Sequence, residues 1–343
     1  MMRTPFLATI LAATILLGAP ALVRAQDDVP APDPKAEWSK LFADGLDLLR
    51  ERRIDDSIKA FQACIKLDDK NAVSYYNIAC CYAQKKDAPK TVEWLKKSFD
   101  KGFLDLAHIG RDSDIDPVRD DDGLKDLLAK TKKKILSSRT EAVRITPSEP
   151  RTEKMPLVVY LHAHGAKLDE LKERLEPLAD MLGATILIPA GRVDAGAASW
   201  DTTAETCIVA DVEAILQDTT SNVDAKRIVL VGEFDGATLA LTLALEHGWK
   251  RVVAAAGIYS RPEAEKAKGL RAYLVAPRWS EAALRSANEV RDGLLEAGAQ
   301  VSVERHDDQG AFHGKGLKAV ERGVRWALGE KVALPGAGPP RHF

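Results

Sequence analysis

Val231-Gly232-Glu233-Phe234-Asp235-Gly236-Ala237 is the stretch on which the fold turns. Before it, Arg227–Val231 is a β-branched apolar run that reads as a buried strand; after it, Ala237–His247 reads as a helix opening on Leu239-Ala240-Leu241. Two glycines bracket the change of period, where a chain passing from strand to helix must turn tightly. Outward from this point the same alternation recurs. Strand-like runs at Leu157–Leu161, Ala184–Pro189, Arg251–Ala256, Leu270–Ala276 and Gln300–Arg305 are interleaved with helical patterns at Leu168–Leu182, Glu281–Ala297 and Lys315–Leu328. Fully apolar strands separated by helices predict an α/β fold with a parallel sheet covered on both faces. Ligands of such sheets bind at the carboxyl ends of the strands, which directs attention to the loops.

Several of those loops, over Pro156 to Gly329, resemble the α/β-hydrolase fold of small carboxylesterases and dienelactone hydrolases. His162-Ala163-His164-Gly165 matches the His-Gly turn after an early strand, Ser199-Trp200-Asp201 a substrate-proximal loop, and Gly310-Ala311-Phe312-His313-Gly314 the turn bearing the catalytic histidine. The resemblance places Phe234 at the apex of the nucleophile elbow, Ser280 at the acid position, His313 as the base, and the backbone N–H groups of His164 and Asp235 at the oxyanion hole. It also implies two losses. Phenylalanine carries no nucleophile, and Pro277-Arg278-Trp279-Ser280 holds no carboxylate, Glu281 being the first available. Ala163 replaces the usual glycine, which leaves the backbone donor in place. Three alternatives stay open: Asp235 as a carboxylate nucleophile after a one-residue slip, Ser199 or Ser260 as a displaced nucleophile, and His162 with His164 as ligands of a metal. The expectation for metal and cofactor alike is none.

The first half is built differently. Met1–Ala25, with Arg3 ahead of the uncharged Phe6–Leu17 and Val23-Arg24-Ala25 at the cleavage position, reads as a secretory signal peptide, so the mature chain is expected to start at Gln26. Its apolar core is shorter than the roughly 20 residues a membrane span needs. Residues 26–36 form a linker. Beyond it, a 34-residue offset superposes Leu41 on Tyr75, Gly45 on Ala79, Leu48 on Tyr82, Ser57 on Thr91, Phe61 on Leu95 and Cys64 on Ser98. Such a period means stacked helical hairpins, with small residues where two helices approach. Tyr75–Tyr82 with Trp94-Leu95, and less strongly Leu41–Leu67, resembles the tetratricopeptide repeat, and Gly102–Leu128 reads as a capping hairpin closed by Asp114–Arg119. That resemblance implies a concave groove for a peptide or protein partner, with Tyr76, Cys80 and Ala83 lining it. Cys64, Cys80 and Cys81 fall at packing positions and are expected as buried thiols.

The resulting division is a repeat domain at 37–136, a linker and first strand at 137–155 that follows the basic stretch Lys130–Lys134, an α/β-hydrolase-like domain at 156–330 and a tail at 331–343. Composition agrees with two globular units: 343 residues, 45% hydrophobic and 29% charged, which excludes disorder. With 49 basic and 51 acidic residues there is no electrostatic footprint for nucleic acid, and no second stretch long enough to span a membrane. Four cysteines do not make a disulfide framework. The reading is an exported (periplasmic or secreted) repeat protein whose hydrolase-like domain has lost its triad and acts in binding or scaffolding, towards a peptide partner or a small ester-like ligand. The alternative is an active carboxylesterase or acyl hydrolase with a displaced nucleophile and His313 as general base.

Overall fold

The computed structural model describes residues 33–149, 151–257, 264–306 and 315–334. The leader, Ser260 and His313 therefore lie outside the described residues.

The N-terminal part is helical. Helices α1 (Pro34–Arg50) and α2 (Ile54–Leu67) form one antiparallel hairpin, and α3 (Ala72–Gln84) with α4 (Ala88–Asp100) another. The sequence period has a physical counterpart at each step. Both connecting turns place a residue in the left-handed region, Arg52 at φ 62° and Lys86 at φ 59°, one repeat apart. Cys64 Sγ donates to the carbonyl of Trp38 and Ser98 Oγ to that of Ala72, again one repeat apart. At Gly45 an added Cβ would press into the Phe61 ring, which is why the hairpin needs glycine there. Asp33, Asn71 and Asp87 cap α1, α3 and α4 by accepting first-turn N–H groups.

The segment expected to cap the array is α5 (Leu106–Arg111), a 3₁₀ turn over Ser113–Val118 and α6 (Asp122–Ser138). It corrects the groove assignment. Tyr76, Cys80 and Ala83 are buried, each at most 3% exposed. The Tyr76 ring stacks on Phe103 at 4.4 Å and its hydroxyl donates to Asp112, toward which the Cys80 thiol also points. The returning chain packs on these side chains, so they are not open to a partner. Cys64, Cys80, Cys81 and Cys207 are all buried thiols, and burial pushes Cys64 and Cys81 up to about 11.

The remainder is α/β: β1 (Val143–Ile145), β2 (Met155–Leu161), α7 (Leu168–Leu182), β3 (Thr185–Ile188), the hairpin β4 (Arg192–Asp194) and β5 (Ala197–Ser199), α8 (Ala204–Gln217), β6 (Val223–Glu233), α9 (Asp235–Glu246), β7 (Arg251–Ala255), β8 (Arg271–Pro277), α10 (Glu281–Glu296), β9 (Gln300–His306) and α11 (Lys315–Ala327). Among the described residues seven strands form one sheet in the order β1-β3-β2-β6-β7-β8-β9, antiparallel only at the β1 edge. Alternate residues of β2 feed opposite cores. Leu157, Val159 and Leu161 pack beneath α8, α9 and α10, while Val158 and Tyr160 pack beneath α7 and α11. This mostly parallel sheet with helices on both faces fits an α/β-hydrolase-like fold. Two elements were not anticipated, the β4–β5 hairpin and α8. Helix α8 hides its period because Asp211 lies on its buried face, paired at 3.0 Å with Arg139. No helix among the described residues is long and apolar enough to cross a membrane.

Candidate functional site

The chain begins its parallel sheet at β2, steps outward to β3, then crosses back to β6 and proceeds the other way through β7, β8 and β9. The order reverses between β2 and β6. At such a reversal the two following loops diverge and leave a crevice. Here those loops are His162–Gly165 after β2 and Phe234 after β6, so topology and sequence motif select the same place.

Between the end of β6 and the start of α9 stands a single residue, Phe234, at φ 53° and ψ −116°. A non-glycine residue held there is strained by on the order of 1–3 kcal/mol, so its surroundings must impose the conformation. They do so by close approach. A Cβ on Gly232 would run into the Gly236 carbonyl, and one on Gly236 into the carbonyls of Leu161 and His162. The Phe234 N–H donates to the Ala255 carbonyl at 2.9 Å, and the Ala237 N–H to that of Phe234 at 3.2 Å. The turn thus has the shape of an elbow, with Phe234 at the apex and 39% exposed. The one-residue slip is corrected here: Asp235 is the first residue of α9, not the apex.

Below the apex, Glu233 is buried and accepts hydrogen bonds from the Tyr160 hydroxyl at 2.7 Å and from Arg174 at 3.1 Å. Arg174 neutralises the carboxylate, and burial beside it pushes the Tyr160 hydroxyl well above its ordinary value. This network ties α7, β2 and β6 together under the turn.

The position expected to serve as an oxyanion hole is filled from within. The His164 N–H, expected to face a substrate oxygen, donates instead to the Asp235 carboxylate at 2.9 Å. A developing oxyanion would need to displace a carboxylate from its donor and then sit beside that negative charge. His162 is fully buried, with the Trp200 ring stacked on it at 4.2 Å and the Trp200 Nε1–H donating to its carbonyl at 2.8 Å. Burial lowers its pKa, keeping the imidazole neutral near pH 7, and its Nδ1 and Nε2 lie against the carbonyls of Ala163 and Ala190. It is a packing histidine. Its neighbour His164 is exposed, so the two do not converge on one ion.

Ser280 sits after β8, where the acid was sought, and its Oγ accepts the Ala283 N–H at 3.1 Å as the N-cap of α10. The residues that follow β8 thus open a helix and bring no carboxylate above the apex; Glu281 lies on its exposed first turn. Ser199 lies on β5 with its Oγ on the Arg192 carbonyl at 3.3 Å. His313 and Ser260 lie outside the described residues.

Over the elbow opens a cleft of about 670 Å³. Phe234, Trp200 and Leu239 supply its apolar wall; Asp105, Asp201, Glu205 and Asp235 supply carboxylates. Trp200 and Asp201 were legible as a site-proximal loop. Glu205 was not, since it belongs to the unanticipated α8, nor was Asp105, which reaches the cleft from the helical part as the N-cap of α5. Glu205 joins the two parts: Arg111 of α5 donates both terminal nitrogens to it, and His247 Nε2 lies 2.8 Å away. Burial pushes this carboxyl up, but the bonds from His247 and Arg111 together outweigh burial and hold it at about 2.

No known family profile and no curated protein matches the chain. Among solved structures the chain is similar to an uncharacterized protein from Bacillus cereus (12% identity, TM-score 0.43, over 84% of this chain and 98% of that one). It is similar to esterase PE8 (17%, 0.42, over 55% and 99%) and to a carboxylesterase from Mesorhizobium loti (17%, 0.39, over 51% and 88%). These are likenesses of chain trace at low identity, and the chemistry of the site rests on its own residues.

Proposed function

We propose that the α/β part is a non-catalytic, hydrolase-like binding domain, and that its ligand enters the cleft over Phe234 without being cleaved. The observation that carries this reading is the pair at the elbow: an apex side chain that cannot attack, next to an oxyanion donor already taken by the Asp235 carboxylate. The cleft lining narrows the ligand class. Carboxylates beside the exposed Phe234 ring and the half-buried Trp200 disfavour an anion and favour a neutral or cationic ligand with an apolar body, an ammonium or guanidinium resting over Phe234.

The helical part, on this reading, is a short tetratricopeptide-like array that scaffolds the binding domain. Its support is the one-repeat spacing of turns and hydrogen bonds, together with the buried former groove and the contacts of α5 and α6 with α8. Export belongs to the same proposal and rests on the leader pattern at Met1–Ala25. N-terminal sequencing of the exported protein should begin at Gln26.

Calorimetry with benzyltrimethylammonium and with benzoate tests the binding claim. The cation should bind saturably, benzoate should not, and Phe234→Ala should weaken the cation several-fold. Equal binding of the two, or hydrolysis of p-nitrophenyl acetate by the purified protein, contradicts the reading.

A further inference from the structure

We propose that a second cavity, between the helical part and the sheet, is a binding site for a small soluble oxyanion such as a phosphate or sulfate group. The cavity measures about 310 Å³. Its walls come from the end of α6, from Arg139-Thr140, from the start of β4 and from α8, so both parts of the chain build it. Three cations line it: Lys134, Arg139 and Arg192. The basic stretch Lys130–Lys134 ends here.

The charges do not cancel. Arg139 is locked, its Nε donating to Asp211 at 3.0 Å and its Nη1 to the Leu136 carbonyl at 2.9 Å, and Asp211, itself buried, balances it. Asp201 is the carboxylate on the wall, its Oδ1 already accepting the Thr203 N–H and hydroxyl. Lys134 and Arg192 form no ion pair among the described residues, which leaves an excess of positive charge on the cavity. Like charges gathered on one recess repel each other unless an anion sits among them. A guanidinium fork and an ammonium beside the Thr140 hydroxyl match the acceptors of a tetrahedral oxyanion, while the Thr131 and Ser138 hydroxyls on the same wall donate to helix carbonyls. The opposing Asp201 suits a single phosphate or sulfate group better than a polyanion. A recess between two packed parts suits a free anion better than a bilayer headgroup. The cavity shares Asp201 with the cleft over Phe234, but the proposal does not rest on the function proposed for that cleft.

The test is calorimetric titration of the full chain with inorganic phosphate at constant ionic strength, on wild type, Lys134→Gln, Arg192→Gln and Lys133→Gln. All three positions are exposed, so the fold should tolerate the changes. Saturable binding is expected in wild type, weakened about tenfold by Lys134→Gln and by Arg192→Gln, the loss of one charge-assisted hydrogen bond, and left nearly unchanged by Lys133→Gln. Absence of saturable binding overturns the proposal. So does equal weakening by all three variants, which would mean diffuse attraction, and so does Lys134-dependent sedimentation with phosphatidylglycerol vesicles in the absence of phosphate binding.

Discussion

Phe234 stands alone between β6 and α9 at φ 53°, and on the proposed reading this apex is a nucleophile position without its nucleophile. The glycines at 232 and 236 made that apex legible in the sequence, because a Cβ at 232 would strike the turn's own backbone and one at 236 the end of β2. What the sequence could not show is the Asp235 side chain on the His164 N–H, since that contact depends on the register of β6 against β2 and on a rotamer. The consequence is a staged prediction. Phe234→Ser, and Phe234→Ser with Ser280→Asp, should both remain near background with p-nitrophenyl acetate. Adding Asp235→Ala to the double variant frees the donor and should raise turnover by on the order of 10², the worth of one oxyanion-hole donor. Ser280→Asp keeps the α10 cap, as aspartate caps about as well as serine. Steady-state ester kinetics on the series check this; full activity in the single variant would show that Asp235 does not block the hole.

At the scale of elements, the strands were legible because each is a short apolar run between turn residues, and α9 because it follows the glycine pair. Helix α8 was not, for a physical reason. Its buried face carries Asp211, which pairs with Arg139 from another part of the chain, and no local pattern encodes such a partner. The β4–β5 hairpin is equally silent, being three residues a side and only partly buried. The contact that fixes the elbow is the approach of α9 to the end of β2. Gly236→Ala should therefore cost about 3 kcal/mol, as overpacking against backbone that cannot yield, whereas Gly248→Ala, in open space, should lose only the benefit of a left-handed glycine, about 1 kcal/mol. Urea unfolding of the two variants measures the difference, and equal losses would show that the α9–β2 approach is loose.

Across the whole molecule, Glu205 is where the helical part meets the cleft. The 34-residue period announced the hairpins, but it said nothing of how they would sit against the sheet, and the residues it suggested for a groove are buried by the segment that follows them. The clamp makes a pH prediction. Because Glu205 is held at about 2, below its ordinary 4.5, its contribution is complete above about pH 4.5 and is lost as pH falls toward 2. Glu205→Gln should then lower stability by about 2 kcal/mol at pH 7, with the difference from wild type closing across that acidic window. Thermal unfolding between pH 2 and 7 reads it, and a constant difference would remove Glu205 as the cause.

The central claim, a hydrolase-like elbow without a nucleophile, is tested most directly by exposing the purified protein to a fluorophosphonate and measuring its intact mass. The account predicts no adduct. A stoichiometric adduct on a serine of the native chain would contradict it and make the protein an active serine hydrolase.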